Sequence, residues 1–246
     1  MNEGMAESNP ARTAELAARL AAVQRRIDAA VEDSGRAGEL PTLIVVTKFH
    51  PAADIRRLAA LGVRDVGENR DQEASSKVAE LAGLGLNWHF VGQLQSKKAK
   101  SVAKYAHALH SVDRLLLVDG LVRAIAAEQE RTGRGDLECF IQVSLDDDAG
   151  AHRGGVAVTE VPLLAERLAA AAGLKLAGVM AVAPLGGSPE AAFEKLATIS
   201  AALVAEHPGA TAISAGMSQD LEAAIRFGAT HLRIGSDILG SRPDVG

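Results

Sequence analysis

The chain predicts a single (β/α)8 TIM-type barrel of the α/β class with one extra N-terminal helix. Three observations carry this expectation. Eight short β-rich runs alternate with Ala- and Leu-rich helical stretches. Several of those runs are almost continuously apolar, as parallel strands buried on both faces must be. No Pro/Gly/Ser-rich linker interrupts the alternation. The length of 246 residues suits one such barrel, which commonly spans about 200–250. An open doubly wound sheet is the alternative arrangement of the same alternation.

In chain order, residues 1–10 are polar and are expected to be disordered, with the barrel domain over 11–246. Residues 11–32 read as a helix because Leu16, Leu20, Val23, Ile27 and Val31 recur at spacings of three and four. Thr13 is its candidate N-cap and Ser34-Gly35 its stop. The strands are expected at 43–48, 65–69, 88–93, 108–113, 138–144, 176–182, 211–216 and 231–235. The helices between them are expected at 52–61, 71–83, 96–105, 114–132, 157–172, 189–206 and 218–227. The first helix then covers the barrel in place of one after strand eight.

Composition excludes several classes of function. A net charge of −5 and a sequence pI of about 5.8 favour neither nucleic acid nor an anionic membrane as partner. The tightest basic group, Lys97, Lys98, Lys100 and Lys104, reads as a solvated helix face or a weak anion patch. Cys139 is the one cysteine, set in an apolar run, so it reads as a buried structural thiol and no disulfide framework can form. No apolar stretch approaches the ~20 residues of a membrane span, and the N-terminus lacks an apolar signal core, so a cytoplasmic protein is expected. Asp146-Asp147-Asp148 reads as a solvated loop, and no Cys/His metal spacing, Walker-type loop or HExxH is present.

In such barrels the chemistry sits at the C-terminal ends of the strands, with phosphate held by the loops after strands seven and eight. Strand one ends at Lys48. A strand-end lysine is costly to desolvate and, near other cations, becomes a nucleophile for an aldehyde. It is otherwise a lysine snorkelling to the rim. Strand two ends Gly67-Glu68-Asn69-Arg70, where Asn69 offers both donor and acceptor, or where Asn69 or Asp71 caps a helix. Strand seven ends Gly216-Met217-Ser218, an anion site at a helix start or simple capping by Ser218 with Asp220 or Glu222 in the first turn. Strand eight ends Arg233-Ile234-Gly235-Ser236. Alternation puts Arg233 on the face of Gly235, where it enters the barrel mouth or pairs with a barrel carboxylate such as Glu68. Together these fragments suit a phosphorylated aldehyde held as an imine. His89 and His110 read as hydrogen-bonded barrel histidines.

The chain resembles the YggS/PROSC family of pyridoxal phosphate homeostasis proteins, which are similar to the N-terminal barrel of alanine racemase. The matching stretches include Val46-Thr47-Lys48, Gly67-Glu68-Asn69-Arg70, Trp88-His89-Phe90-Val91-Gly92-Gln93, Gly178-Val179-Met180, Gly216-Met217-Ser218-Gln219-Asp220 and Arg233-Ile234-Gly235-Ser236. The resemblance implies a Schiff base of pyridoxal 5′-phosphate on Lys48. It further implies phosphate contacts from Ser218, Gly235 and Ser236, Arg233 facing the pyridine nitrogen, and Asn69 near the ring. Ser236 stands where the family usually has threonine, Lys97 where asparagine is common, Ala215 where a bulkier residue is frequent, and Asp237 where a small apolar residue is usual. Asp237 is expected to point away from the phosphate.

An arginine at the ring nitrogen weakens the ring as an electron sink. A two-base racemase also needs a second acid/base, and the single tyrosine, Tyr105, is expected in a surface helix after strand three, with no room for a further domain after Gly246. Intracellular carriage and homeostasis of pyridoxal phosphate without catalytic residues is therefore expected, with apo pyridoxal phosphate enzymes as candidate partners and a monomer as the assembly. The alternatives are a racemase of low activity and a cofactor-free Schiff-base aldolase acting on a sugar phosphate.

Overall fold

The first helix, α1 (Pro10–Asp33), forms because Leu16, Leu20, Val23, Ile27 and Val31 fall on one face, and all five are buried. It starts earlier than its sequence suggests. Asn9 rather than Thr13 is the N-cap, its side chain accepting the Arg12 N–H at 3.0 Å. Pro10 takes the first helical position, where no N–H is needed. The computed structural model describes residues 9–146 and 154–241, so most of the expected disordered segment, 1–8, lies outside the described residues. Asp147 and Asp148 of the acidic run also lie outside them. Ser34 and Gly35, with a left-handed φ of 70°, end the helix as expected.

Eight strands follow: β1 (Thr42–Val46), β2 (Asp65–Glu68), β3 (Asn87–Phe90), β4 (Ala106–Val112), β5 (Leu137–Gln142), β6 (Leu174–Met180), β7 (Ala212–Ser214) and β8 (His231–Ile234). They pair in sequence order, all parallel, and close into a barrel through β1 and β8. The open doubly wound sheet is excluded by that closure. The outer layer is α2 (Ala52–Ala60), α3 (Asp71–Glu80), α4 (Ala99–Val102), α5 (Leu115–Thr132), α6 (Val161–Ala169), α7 (Pro189–Glu206), α8 (Leu221–Arg226) and α9 (Ser236–Leu239).

Two helical expectations change. The segment 96–105 is a 3₁₀ turn (Ser96–Lys98) running into the four-residue α4, and Tyr105 lies in the turn before β4, half-buried, rather than in a surface helix. A short helix, α9, does follow β8, and α1 packs against it, α8 and α2 instead of replacing it. The main core lies between sheet and helices, from Leu16 and Ile55 to Leu221 and Ile238. A second, smaller cluster groups Ala108, Phe140, Ala177 and Met180.

Candidate functional site

At the C-terminal mouth of the barrel a cavity of about 580 Å³ is lined by Lys48, Asn69, Ser218, Arg233, Gly235 and Ser236, together with Val46, Gln93, Gln142, Met180 and Met217. The six residues that the resemblance assigns to the cofactor thus line one cavity. A groove of similar volume between α6 and α7 is walled by Val161, Pro162, Ile199 and Leu203 and holds no basic side chain other than His207. It lacks the chemistry an anion requires.

Lys48 lies just past β1, which α3 fixes from beside. Thr47 N–H still bonds to Gly67 O at 2.9 Å, so the pairing with β2 continues one residue beyond the strand. Phe49 then adopts a left-handed φ of 69°, rare for an aromatic residue, and turns the chain out of the sheet. Its N–H is held by Glu73 Oε1 at 2.5 Å. The Lys77 ammonium donates to Thr47 O at 2.8 Å and to Glu68 and Glu73 at 2.7 Å each. Burial pushes the Glu68 carboxyl above its ordinary range although Lys77 and Thr47 donate to it. The Phe49 ring lies 5.9 Å from Lys48 Nζ and 5.4 Å from the Arg70 guanidinium.

Asn69 is pressed by the loop after β3. A Cβ at Gly92 would stand 2.2 Å from Asn69 O, so only glycine lets that loop lie there. Across the mouth, Ser236 Oγ donates to Ser218 Oγ at 3.2 Å, joining the loops after β7 and β8. Ser218 does not cap α8. The N-cap position belongs to Asp220, whose carboxylate accepts the Met217 N–H at 2.6 Å and leaves the Ser218 hydroxyl free to line the cavity. Gly216 bends this loop at a φ of 92°.

Arg233 is 6% exposed and its partners differ from the carboxylate considered above. It donates to Ser214 Oγ at 2.6 Å and to Ala181 O at 2.8 Å, while Glu68 is taken by Lys77. Burial pulls its guanidinium down to about 10.

Two residues were not legible in the sequence. Arg26 on α1 donates to Ser218 O at 3.0 Å, to Asp237 at 2.6 Å and to Glu222 at 2.8 Å, so the N-terminal helix clamps both loops. Asp237 is thereby turned toward α1 and does not line the cavity. Ser214, the last residue of β7, holds Arg233; only its two-residue distance from Gly216 on an inward face pointed to it. Tyr105 donates to Asp71 and is also absent from the lining. Lys97, Lys100 and Lys104 are exposed and Lys98 pairs with Asp71. Cys139 is buried, which pushes its thiol up.

Residues 18–243 match the family model described as alanine racemase, N-terminal domain. A pyridoxal phosphate homeostasis protein of Corynebacterium glutamicum is 43% identical over 90% of this chain and 99% of its own length. The protein of that name from Escherichia coli is 35% identical over 93% of this chain and 97% of its own. The structure of PipY from Synechococcus elongatus with PLP bound is similar at 34% identity and a TM-score of 0.75, over 92% of this chain and all of that one. Alanine racemase from Corynebacterium glutamicum shares the fold alone, with a TM-score of 0.64 at 15% identity over 95% of this chain and 62% of that chain.

Proposed function

The chain belongs to the pyridoxal phosphate homeostasis family, whose barrel is the alanine racemase N-terminal domain, and from that premise we propose that it holds pyridoxal 5′-phosphate as a Schiff base on Lys48 and carries it within the cell. The observation that carries the proposal is the shared cavity: one amine, a buried guanidinium and two touching hydroxyls on adjacent loops. These residues fit the group. Bound pyridoxal phosphate supplies an electrophilic aldehyde carbon and a conjugated ring. With it bound, Lys48 would be the amine that meets that carbon, and Ser218, Ser236 and the Gly235 backbone would hold the phosphate. Each hydroxyl to the dianion contributes roughly 1.5–3 kcal/mol. Asn69 would lie beside the ring and Arg233 would donate to the ring nitrogen.

Carriage, rather than efficient catalysis, follows from the same residues. Arginine only donates, so Arg233 keeps the ring nitrogen unprotonated and the ring a poor electron sink. The chain's single tyrosine is bonded to Asp71 away from the cavity, and loss of one positioned acid/base typically costs about 10²–10⁴ in rate. The recipients are apo pyridoxal phosphate enzymes, and the compartment is the cytoplasm, where Cys139 stays reduced. Among the described residues no helix is long and apolar enough to cross a membrane.

The test is a visible spectrum followed by borohydride trapping and peptide mapping. The adduct is expected on Lys48, and Lys48→Ala is expected to lose both band and adduct. An adduct on another lysine overturns the assignment. Across a panel of amino acids, α-proton exchange is expected to stay below roughly 1 s⁻¹, the low end of common enzyme turnover, while the cofactor passes to an apo-enzyme. Faster turnover would overturn the carrier reading.

A further inference from the structure

Arg233 is anchored to a file of polar side chains that crosses the barrel lumen. Its Nη1 donates to Ser214 Oγ at 2.6 Å. Ser214 Oγ meets His110 Nδ1 at 2.8 Å, His110 Nε2 meets His89 Nδ1 at 2.9 Å, and His89 Nε2 meets Asp65 Oδ1 at 3.0 Å. Counting Arg233 itself, five strands contribute, and the file runs from the first residue of β2 to the mouth. Ser214 and His110 are fully buried and His89 is 2% exposed.

Hydrogen-bond chemistry gives this file one direction. A guanidinium has only donors and an ionised carboxylate only acceptors, so both ends are fixed. Ser214 has one proton, and its buried hydroxyl has His110 Nδ1 as the remaining partner. His110 therefore accepts at Nδ1 and donates from Nε2. His89 must then accept at Nδ1 and donate from Nε2 to Asp65. A proton on either Nδ1 would leave a donor without an acceptor or set two donors face to face. The ends agree with this order. Burial works against the Asp65 carboxylate, yet bonds from His89 and Asn87 hold it below its ordinary range. Burial keeps His110 well below the usual histidine range, and Phe140 stacks on its ring at 4.3 Å, fixing its plane.

We infer that Ser214, His110, His89 and Asp65 are positioning residues for Arg233: the directional file orients the guanidinium and links it to Asp65 as a remote counter-charge. The side chain of Arg233 has no carboxylate hydrogen-bond partner among the described residues, and Asp220 acts on it only through space. Each group that donates along the file becomes a better acceptor for the group before it, so Ser214, which donates to His110, grips Arg233 more firmly than an isolated hydroxyl would. The remaining guanidinium protons would then be available to the nitrogen of a bound ring. This inference rests on the cofactor reading of the previous subsection.

Two measurements test it. In the wild-type protein, long-range ¹H–¹⁵N spectra are expected to show His89 and His110 both protonated at Nε2 and bare at Nδ1. A proton on Nδ1 of either ring overturns the file, whatever any variant does. Second, Ser214→Ala and Asp65→Asn are titrated with pyridoxal phosphate. The asparagine keeps an acceptor for His89 and removes only the charge. Ser214→Ala is expected to weaken binding roughly 3- to 10-fold, the span of one hydrogen bond, and Asp65→Asn less, both displacing the visible band in the same direction. If wild type traps the cofactor on Lys48 and both variants match it in affinity and band position, the file has no role toward Arg233 and the cofactor reading stands. If wild type forms no adduct on Lys48, the cofactor reading fails and this inference with it.

Discussion

At the scale of single residues, close backbone approach and burial set the strongest constraints. Gly178 sits in β6 opposite Ala212 of β7, and a Cβ there would come within 1.8 Å of Ala212 O at a φ of 155°. Gly178→Ala must push β7 away and is expected to lower stability by about 1–3 kcal/mol or more in urea unfolding. Gly209→Ala, which meets open space, is expected to stay within about 0.5 kcal/mol of wild type. Buried His110 and half-buried His231 give a second expectation. Burial lowers His231 to about 4 and His110 well below 6.5. Between about pH 6.5 and 4 the unfolded chain binds protons that the folded chain refuses, so stability falls as pH falls, by up to about 1.4 kcal/mol per pH unit for each ring. The loss is expected to be absent above pH 7, and His231→Asn is expected to flatten the slope of urea-derived stability against pH. An unchanged slope would show that His231 is not held neutral by the fold.

At the scale of elements, α1 does more than cover the barrel. Arg26 ties the backbone of Ser218 and the carboxylates of Glu222 and Asp237 to one guanidinium. Without it Asp237, next to Ser236, is released close to an incoming dianion. Arg26→Met is expected to cost under about 1 kcal/mol of stability, as a partly exposed ion-pair cluster should. It is expected to weaken pyridoxal phosphate binding about fivefold while leaving pyridoxal, which lacks the phosphate, nearly unchanged. Equal losses for the two ligands in a fluorescence titration would count against the clamp. The strands were legible to within about two residues at most ends because their apolar runs are bounded by Gly, Asn and charged residues. The start of α1 and the break-up of 96–105 were less so, since capping by Asn9 and the short α4 depend on neighbours distant in sequence.

At the scale of the whole molecule, closure of β1 onto β8 leaves no sheet edge, and α1 spans the seam by packing on α2, α8 and α9. The described residues are therefore expected to unfold in one transition, with far-UV circular dichroism and the fluorescence of Trp88, the chain's one tryptophan, buried in β3, changing together. Pyridoxal phosphate at about a hundred times its Kd is expected to add about 2.7 kcal/mol to that transition, and much less in Lys48→Ala. Separated transitions for the two probes would contradict a single cooperative unit.

Period and apolar runs pointed to the parallel barrel, and the fold class told which strand ends converge, while the family resemblance drew Lys48, Asn69, Ser218, Arg233, Gly235 and Ser236 together as one set. The sequence carried the lysine, the paired hydroxyls and the arginine as local patterns. Their partners depend on packing between distant segments. Arg233 chose Ser214 and a backbone carbonyl over Glu68, Ser218 yielded the cap to Asp220, and Arg26 reached across from the first helix. The physical reason is that periodicity fixes which face a side chain occupies, whereas the hydrogen bond it makes is settled by which donors and acceptors lie within about 3 Å in a packed interior, and those come from segments far apart in the chain.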